Sequence, residues 1–172
     1  MKDIVLLYDN CCIYEIVILN YFLKFTDGDI LFCSVDGDTV RAAEGYSINP
    51  GLPLKEIDLS QVRSVIVPGG EIAHIDRPAV LDMLRRLNAG GVLIAAICAG
   101  VDILERAGIL DGRKSVHSAD ADCIRDGNII TARANAYVDF AIEAGKALDL
   151  FEDERDLQET IDFWKLFKRA EM

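Results

Sequence analysis

The stretch Val92–Leu110, VLIAAICAGVDILERAGIL, constrains this chain more than any other. Val92 to Ile97 is a short unbroken apolar run, too short for a typical helix and of the kind that forms a strand buried on both faces. Cys98, Ala99 and Gly100 follow, and then Val101, Ile103, Leu104 and Ala107 recur at helical spacing. A strand can become a helix within three residues only where its neighbours are small, and Ala95, Ala96, Ala99 and Gly100 meet that need. The reactive side chain sits on the turn itself. This is the pattern of a nucleophile elbow, with cysteine where hydrolases place serine.

That geometry has chemical consequences. A thiol at a helix N-terminus lies near unpaired backbone N–H groups and the positive end of the helix dipole, and both favour thiolate. The Ala99 N–H is placed to donate to an oxyanion forming on a bound carbonyl. Asp102, in the first helical turn, opposes thiolate wherever it faces the sulfur. Most free cysteines are buried small hydrophobes; the elbow pattern separates Cys98 from them and makes it the candidate nucleophile.

The rest of the chain supplies the sheet into which such an elbow fits. Ile4–Tyr8, Asp29–Val35, Ser64–Val67 and Ile129–Arg133 read as further strands, and the spacing predicts helices over Ile13–Phe25, Pro78–Asn88, Tyr137–Leu148 and Glu152–Lys168. Apolar residues surround the Ile13–Phe25 segment, which predicts cover on several sides. Asp36–Pro50 reads as a β-hairpin excursion, Leu52–Leu59 as a connection and Lys114–His117 as a short strand. Strands alternating with helices predict a three-layer α/β/α sandwich around a mostly parallel open sheet, with a cleft at the strand C-terminal ends. At 172 residues the chain suits one domain, residues 1–172.

Three further places bear on that cleft. Pro68-Gly69-Gly70 ends a strand, and two glycines there let backbone approach a ligand without a Cβ in the way. Beside the elbow, the Gly70 N–H becomes a candidate second oxyanion donor, with Gly69 and the nearby His74 as candidate substrate contacts; elsewhere Pro-Gly-Gly is an ordinary turn. Glu15, in the first turn of the first helix, either complements the helix dipole or reaches the elbow from the end of the first strand. His117, with Asp120 and Asp122 after it, is either a general base for the thiol or a surface histidine.

Composition excludes several classes. A net charge of -11 argues against nucleic acid or an anionic membrane as partner. No apolar run reaches the length of a membrane span, and the N-terminus starts straight into a strand without the pattern of a secretory signal, so a cytoplasmic chain is expected. Five cysteines do not suggest a disulfide framework, and two histidines with adjacent Cys11 and Cys12 make poor zinc spacing, so no metal is expected.

The segments VIVPGG (65–70), GVLIAAICAG (91–100), AGILDGRK (107–114) and DGNIITARAN (126–135) resemble the ThiJ/PfpI family of the class I glutamine amidotransferase-like superfamily, as does the early Tyr14–Ile18 segment. The resemblance runs over nearly the whole chain and implies a flavodoxin-like fold. It implies that Cys98 is the nucleophile, that protonated Glu15 hydrogen-bonds the thiolate, and that Gly70 and Ala99 form the oxyanion hole. His117 falls near the family histidine, one residue closer to the cysteine than is usual. Family members of the protease type carry histidine directly after the cysteine; Ala99 stands there, which argues against a peptidase. The resemblance also implies a homodimer, with the apolar faces of the first and last helices as candidate contacts.

Two functions fit. In one, an enzyme without organic cofactor adds Cys98 to a small electrophile, such as a reactive aldehyde, an isonitrile or an activated acyl group, with Glu15 as proton shuttle. In the other, Cys98 is oxidised to sulfinic acid in a redox-responsive protein without turnover.

Overall fold

Strand order is what positions the site. The computed structural model describes residues 1–169. Its strands are β1 (Lys2–Leu6), β2 (Asp29–Ser34), β3 (Val40–Arg41), β4 (Ser47–Ile48), β5 (Leu52–Pro53), β6 (Val62–Val67), β7 (Leu93–Ile97), β8 (Cys123–Asp126) and β9 (Ile129–Ala132). The helices are α1 (Val17–Phe25), α2 (Pro78–Ala89), α3 (Gly100–Arg106), α4 (Tyr137–Ala147) and α5 (Glu154–Trp164). Seven strands form one sheet in the order β5-β2-β1-β6-β7-β9-β8, parallel except for β8, which is antiparallel to β9.

From β1 the chain moves outward to β2 through α1; from β6 it moves the other way to β7 through α2. Right-handed crossovers therefore place α1 and α2 on opposite faces of the sheet. α4 joins α1, and α3 joins α2. The order reverses between β1 and β6, and at such a switch point the loops leaving two neighbouring strands diverge and open a crevice. β7 is wholly apolar, β1 and β6 are apolar over their C-terminal parts, and all three are buried on both faces there, as parallel strands covered by helices must be.

The fold departs from the sequence expectations at several places, among them β5, which lies in the expected connection Leu52–Leu59, and β8, in a stretch not read as a strand. α1 begins at Val17, four residues later than expected, so Glu15 lies in the turn ahead of the helix and not within its first turn. That helix is covered on fewer sides than expected: Ile18, Leu19, Phe22 and Leu23 are buried, while Val17, Tyr21 and Phe25 are exposed. Lys114–His117 forms no strand. Its backbone instead meets side chains: Lys114 N–H donates to Asp126 Oδ2, Ser115 N–H to Ser118 Oγ and Val116 N–H to Thr131 Oγ1. The last helix is shorter than expected, starting where Asp153 accepts from Arg155 and Asp156 N–H and ending at Trp164. The hairpin excursion is present as β3 paired with β4. No described helix is long and apolar enough to cross a membrane.

Candidate active site

The elbow forms where β7 ends. Cys98 has φ 55°, a left-handed backbone that costs a side-chain-bearing residue of order 1 kcal/mol or more. Its neighbours hold it there: Cys98 N–H donates to Ala132 O at 2.8 Å, and Cys98 O accepts from Val101 N–H at 3.1 Å. α3 can start at once because Gly100 packs against the end of β6. A Cβ at Gly100 would lie 2.5 Å from Val67 O and 2.8 Å from Pro68 O.

The Pro68-Gly69-Gly70 loop lies against the sulfur. A Cβ on Gly69 would meet Cys98 Cβ at 2.6 Å, Glu15 Oε2 at 2.8 Å and Cys98 Sγ at 2.9 Å. Only glycine lets the two loops and the carboxyl come so close. Tyr8 hydroxyl anchors the loop by donating to Pro68 O at 2.7 Å. The loop after β1 closes on it from the other side, with Cys12 N–H donating to Gly69 O at 2.9 Å and Glu71 N–H to Asn10 O at 3.2 Å. Gly70 has φ 128° and would drive a Cβ to within 2.2 Å of Asn10 O. Among the described residues no backbone carbonyl accepts from Gly70 N–H or Ala99 N–H.

Glu15 completes the group. Its side chain is 1 % exposed, yet it forms no ion pair among the described residues. Oε2 accepts from Gly69 N–H at 2.6 Å, Oε1 accepts from Tyr14 hydroxyl at 3.3 Å, and Cys98 Sγ lies beside the carboxyl, both facing the Cα of Gly69. Burial raises the Glu15 carboxyl above its ordinary value, against the opposing pull of Gly69 N–H, the Cys98 thiol and Tyr14 hydroxyl. Burial, and then the Glu15 charge, push the Cys98 thiol up to about 11, while Ala99 N–H pulls it down. Both groups are thus held toward their protonated forms, and because the charge of Glu15 acts on the Cys98 thiol, the two titrate as a pair. The helix-end expectation of a freely favoured thiolate is therefore too simple: α3 is only seven residues long, and desolvation dominates.

The sulfur opens on a cavity of about 380 Å³, bounded by Ala99, Asp102, Val116, His117 and Arg133. His117 is thus brought to the wall of this cavity, but its ring nitrogens face carboxylates, Nε2 at 3.4 Å from Asp102 and Nδ1 at 3.3 Å from Glu105. Those three side chains are the one set among the described residues whose donor atoms converge as metal ligands do, and two of them are exposed. His74 is not brought to the sulfur's cavity. It lines a separate depression with Asp9, Ser34 and Arg77 at the ends of β1 and β2, and pairs with Glu71 at 3.6 Å. Tyr14, which touches the buried carboxyl, was not a sequence candidate; as an aromatic among apolar residues it reads as packing.

Comparison with known proteins agrees with this architecture. The DJ-1/PfpI family pattern matches residues 1–147. A deglycase of Thermococcus kodakarensis is 26% identical over 150 residues, covering 77% of this chain and 90% of that protein. A glutathione-independent glyoxalase of Caenorhabditis elegans is 27% identical over 115 residues, covering 66% and 62%. The crystal structure of Drosophila melanogaster DJ-1beta superimposes with a TM-score of 0.78 at 24% identity, over 98% of each chain. With the α/β fold, the elbow and this match over most of its length, the chain belongs to the DJ-1/PfpI family.

Proposed function

We propose that this protein is a cofactor-independent enzyme that uses Cys98 to add to a small electrophile, most simply a reactive aldehyde. The observation that carries this reading is Glu15: a buried carboxyl with no cation among the described residues, set beside a sulfur that a strained elbow presents to a cavity. As the sulfur attacks the carbonyl carbon, its proton passes to Glu15, and the carbonyl π electrons move onto oxygen. The resulting oxyanion is held by the Ala99 and Gly70 N–H groups, which have no backbone acceptor among the described residues. Glu15 then returns the proton, so that no outside acid or base is needed for the addition. Gly69 shapes the approach beside the sulfur, and His117, held by Asp102 and Glu105, lines the far wall.

The names of the deglycase and glyoxalase relatives support chemistry of this class. Ala99 directly after the cysteine speaks against a peptidase. The same reading includes one domain over residues 1–172 and a homodimer seated on the exposed Val17, Tyr21 and Phe25 face of α1; gel filtration at the mass of a monomer would remove the dimer from it.

Turnover of a panel of small aldehydes, isonitriles and activated acyl compounds, without glutathione, tests the enzyme directly. Cys98→Ser is expected to lower turnover by about three orders of magnitude or more, as loss of a nucleophile does. Absence of turnover in the parent, with Cys98 converted by peroxide to a stable sulfinic acid, would instead establish the redox-responsive function.

A further inference from the structure

A second thiol reaches the wall of the site from the loop after β1. Cys11 and Gly70 form an antiparallel bridge, closed by Glu71 N–H to Asn10 O at 3.2 Å and Cys12 N–H to Gly69 O at 2.9 Å. Cys12 and Gly69 are therefore cross-strand neighbours. In an antiparallel pair the Cβ positions of such neighbours point to one side, about 5 Å apart. At Gly69 that side is the reacting one: a Cβ there would lie 2.6 Å from Cys98 Cβ and 2.9 Å from Cys98 Sγ. The space that glycine leaves open thus lies against Cys98 and one strand spacing from Cys12. Cys11 faces the other way, since alternation turns it into the core, where it is 0% exposed.

Cys12 and Cys98 are both free and partly exposed, so a small oxidant in solution reaches them. The other cysteines are placed apart from the elbow. Cys33 is buried on β2, and Cys123 lies on β8, separated from β7 by β9. Glu15 raises the thiols of both Cys12 and Cys98, and Cys12 in turn acts on Cys98, as groups around one small space do. Cys12 belongs to the irregular segment between β1 and α1. There a side-chain rotation and a small backbone shift close the gap to the Cβ separation of a disulfide, about 3.5–4.5 Å.

We propose that Cys12 is a resolving cysteine, which captures Cys98 as an intrachain disulfide after a hydroperoxide has oxidised it. The inference rests on the reading of Cys98 as the reactive thiol. In the first step the Cys98 sulfur attacks one peroxide oxygen and the O–O bond breaks. The other oxygen leaves with the thiol proton, as water when the oxidant is hydrogen peroxide. Cys98 is then a sulfenic acid, oxidised by two electrons, and the peroxide is reduced by two. In the second step the Cys12 sulfur attacks the Cys98 sulfur, the S–O bond breaks, and hydroxide leaves with the Cys12 proton as water. A low-molecular-weight thiol in excess supplies the two electrons that restore both cysteines. Without Cys12 the sulfenic acid stays open to a second peroxide and passes to sulfinic acid, which such a thiol does not reverse. The site is thus one that peroxide switches off and a thiol restores.

The test treats the full chain with hydrogen peroxide, blocks remaining thiols with iodoacetamide in denaturant, and maps peptides without reduction by mass spectrometry, in the parent and Cys12→Ser. The expected result in the parent is a peptide in which Cys12, identified by fragmentation against Cys11, is linked to Cys98. Dithiothreitol should then recover Cys98 alkylation in the parent, whereas in Cys12→Ser it should fail to, with sulfinic acid at Cys98. Sulfinic acid at Cys98 in the parent, with Cys12 still free, overturns the resolving role and leaves Cys98 reactive. A link through Cys11, a link between two chains, or equal recovery in Cys12→Ser overturns it as well. Should Cys12→Ser fail to fold, the linked peptide of the parent decides alone. Oxidation of Cys98 no faster than that of Cys123 overturns the reading of the elbow thiol as reactive.

Discussion

Two carboxylates are buried among the described residues, and they lie at opposite ends of the same strand–loop unit. Asp3, on β1 near its N-terminal end, is 0% exposed; Glu15, in the loop beyond its C-terminal end, is 1% exposed. Asp3 is answered by a cation: Arg63 donates through Nε at 3.0 Å to Oδ1 and through Nη2 at 2.6 Å to Oδ2, and Ser64 hydroxyl adds a bond to Oδ1 at 2.7 Å. Glu15 has a backbone amide, a phenol and a thiol. A buried charge that is paired is fixed and chemically quiet, whereas one left without a cation must find a proton or lend one. Burial alone thus does not make a site. What separates the two ends of the sheet is the partner each acid is given.

The comparison breaks most visibly when each acid is removed. Glu15→Gln is expected to lower turnover about a hundredfold or more, the range of a lost proton-transfer group, while changing stability by less than about 1 kcal/mol. Asp3→Ala should do the reverse. It strands Arg63, a third of whose side chain is solvated, and should cost about 2–3 kcal/mol in urea unfolding with the Cys98 alkylation rate unchanged. If Asp3→Ala lowers turnover as much as Glu15→Gln does, the division between the two ends is wrong.

Gly69→Ala sharpens the comparison at the site itself. The new Cβ would enter at 2.6–2.9 Å from the Cys98 and Glu15 side chains, so the pair must separate. A loss of about 1–3 kcal/mol in stability, typical of overpacking, is expected together with a tenfold or greater loss of turnover. The smallest effect is on pH dependence. Because the folded Glu15 carboxyl titrates above its ordinary 4.5, the native state keeps a proton that the unfolded chain has released. Stability should therefore decline as pH rises from 4.5 through the folded value, by at most about 1.4 kcal/mol per pH unit, and Glu15→Gln should flatten that decline.

The sequence reveals most of the sheet and little of its edges. β1, β6, β7 and β9 are legible because central parallel strands are continuous apolar runs. β5 and β8 are not: one has two residues and pairs only with Cys33 and Ser34, and the other, CIRD, mixes polar and apolar side chains at an open edge. The elbow is legible because close approach of strand, helix and loop demands small residues at fixed places, and Gly69 and Gly100 answer that demand. The start of α1 is not, because residues 13–16 look helical in pattern while the backbone here is engaged elsewhere. Cys12 N–H goes to Gly69 O and Tyr14 N–H to Glu44, contacts across 57 and 30 positions in sequence that no local pattern encodes. The same non-local contacts bring Tyr14 to Glu15 and leave His74 in a different depression, in the ordinary way that a loop's path, and not its composition, decides which side chains meet.

The coupling of Glu15 and Cys98 is the central claim, and the thiolate absorbance of the protein, taken as the difference between parent and Cys98→Ser across the pH range, measures it most directly. The account predicts two steps in the parent: a partial rise as the pair loses its first proton, and completion near 11 as it loses the second. In Glu15→Gln a single step should remain. One step of full amplitude in both proteins, at the same pH, would show that Cys98 titrates alone and would contradict the account.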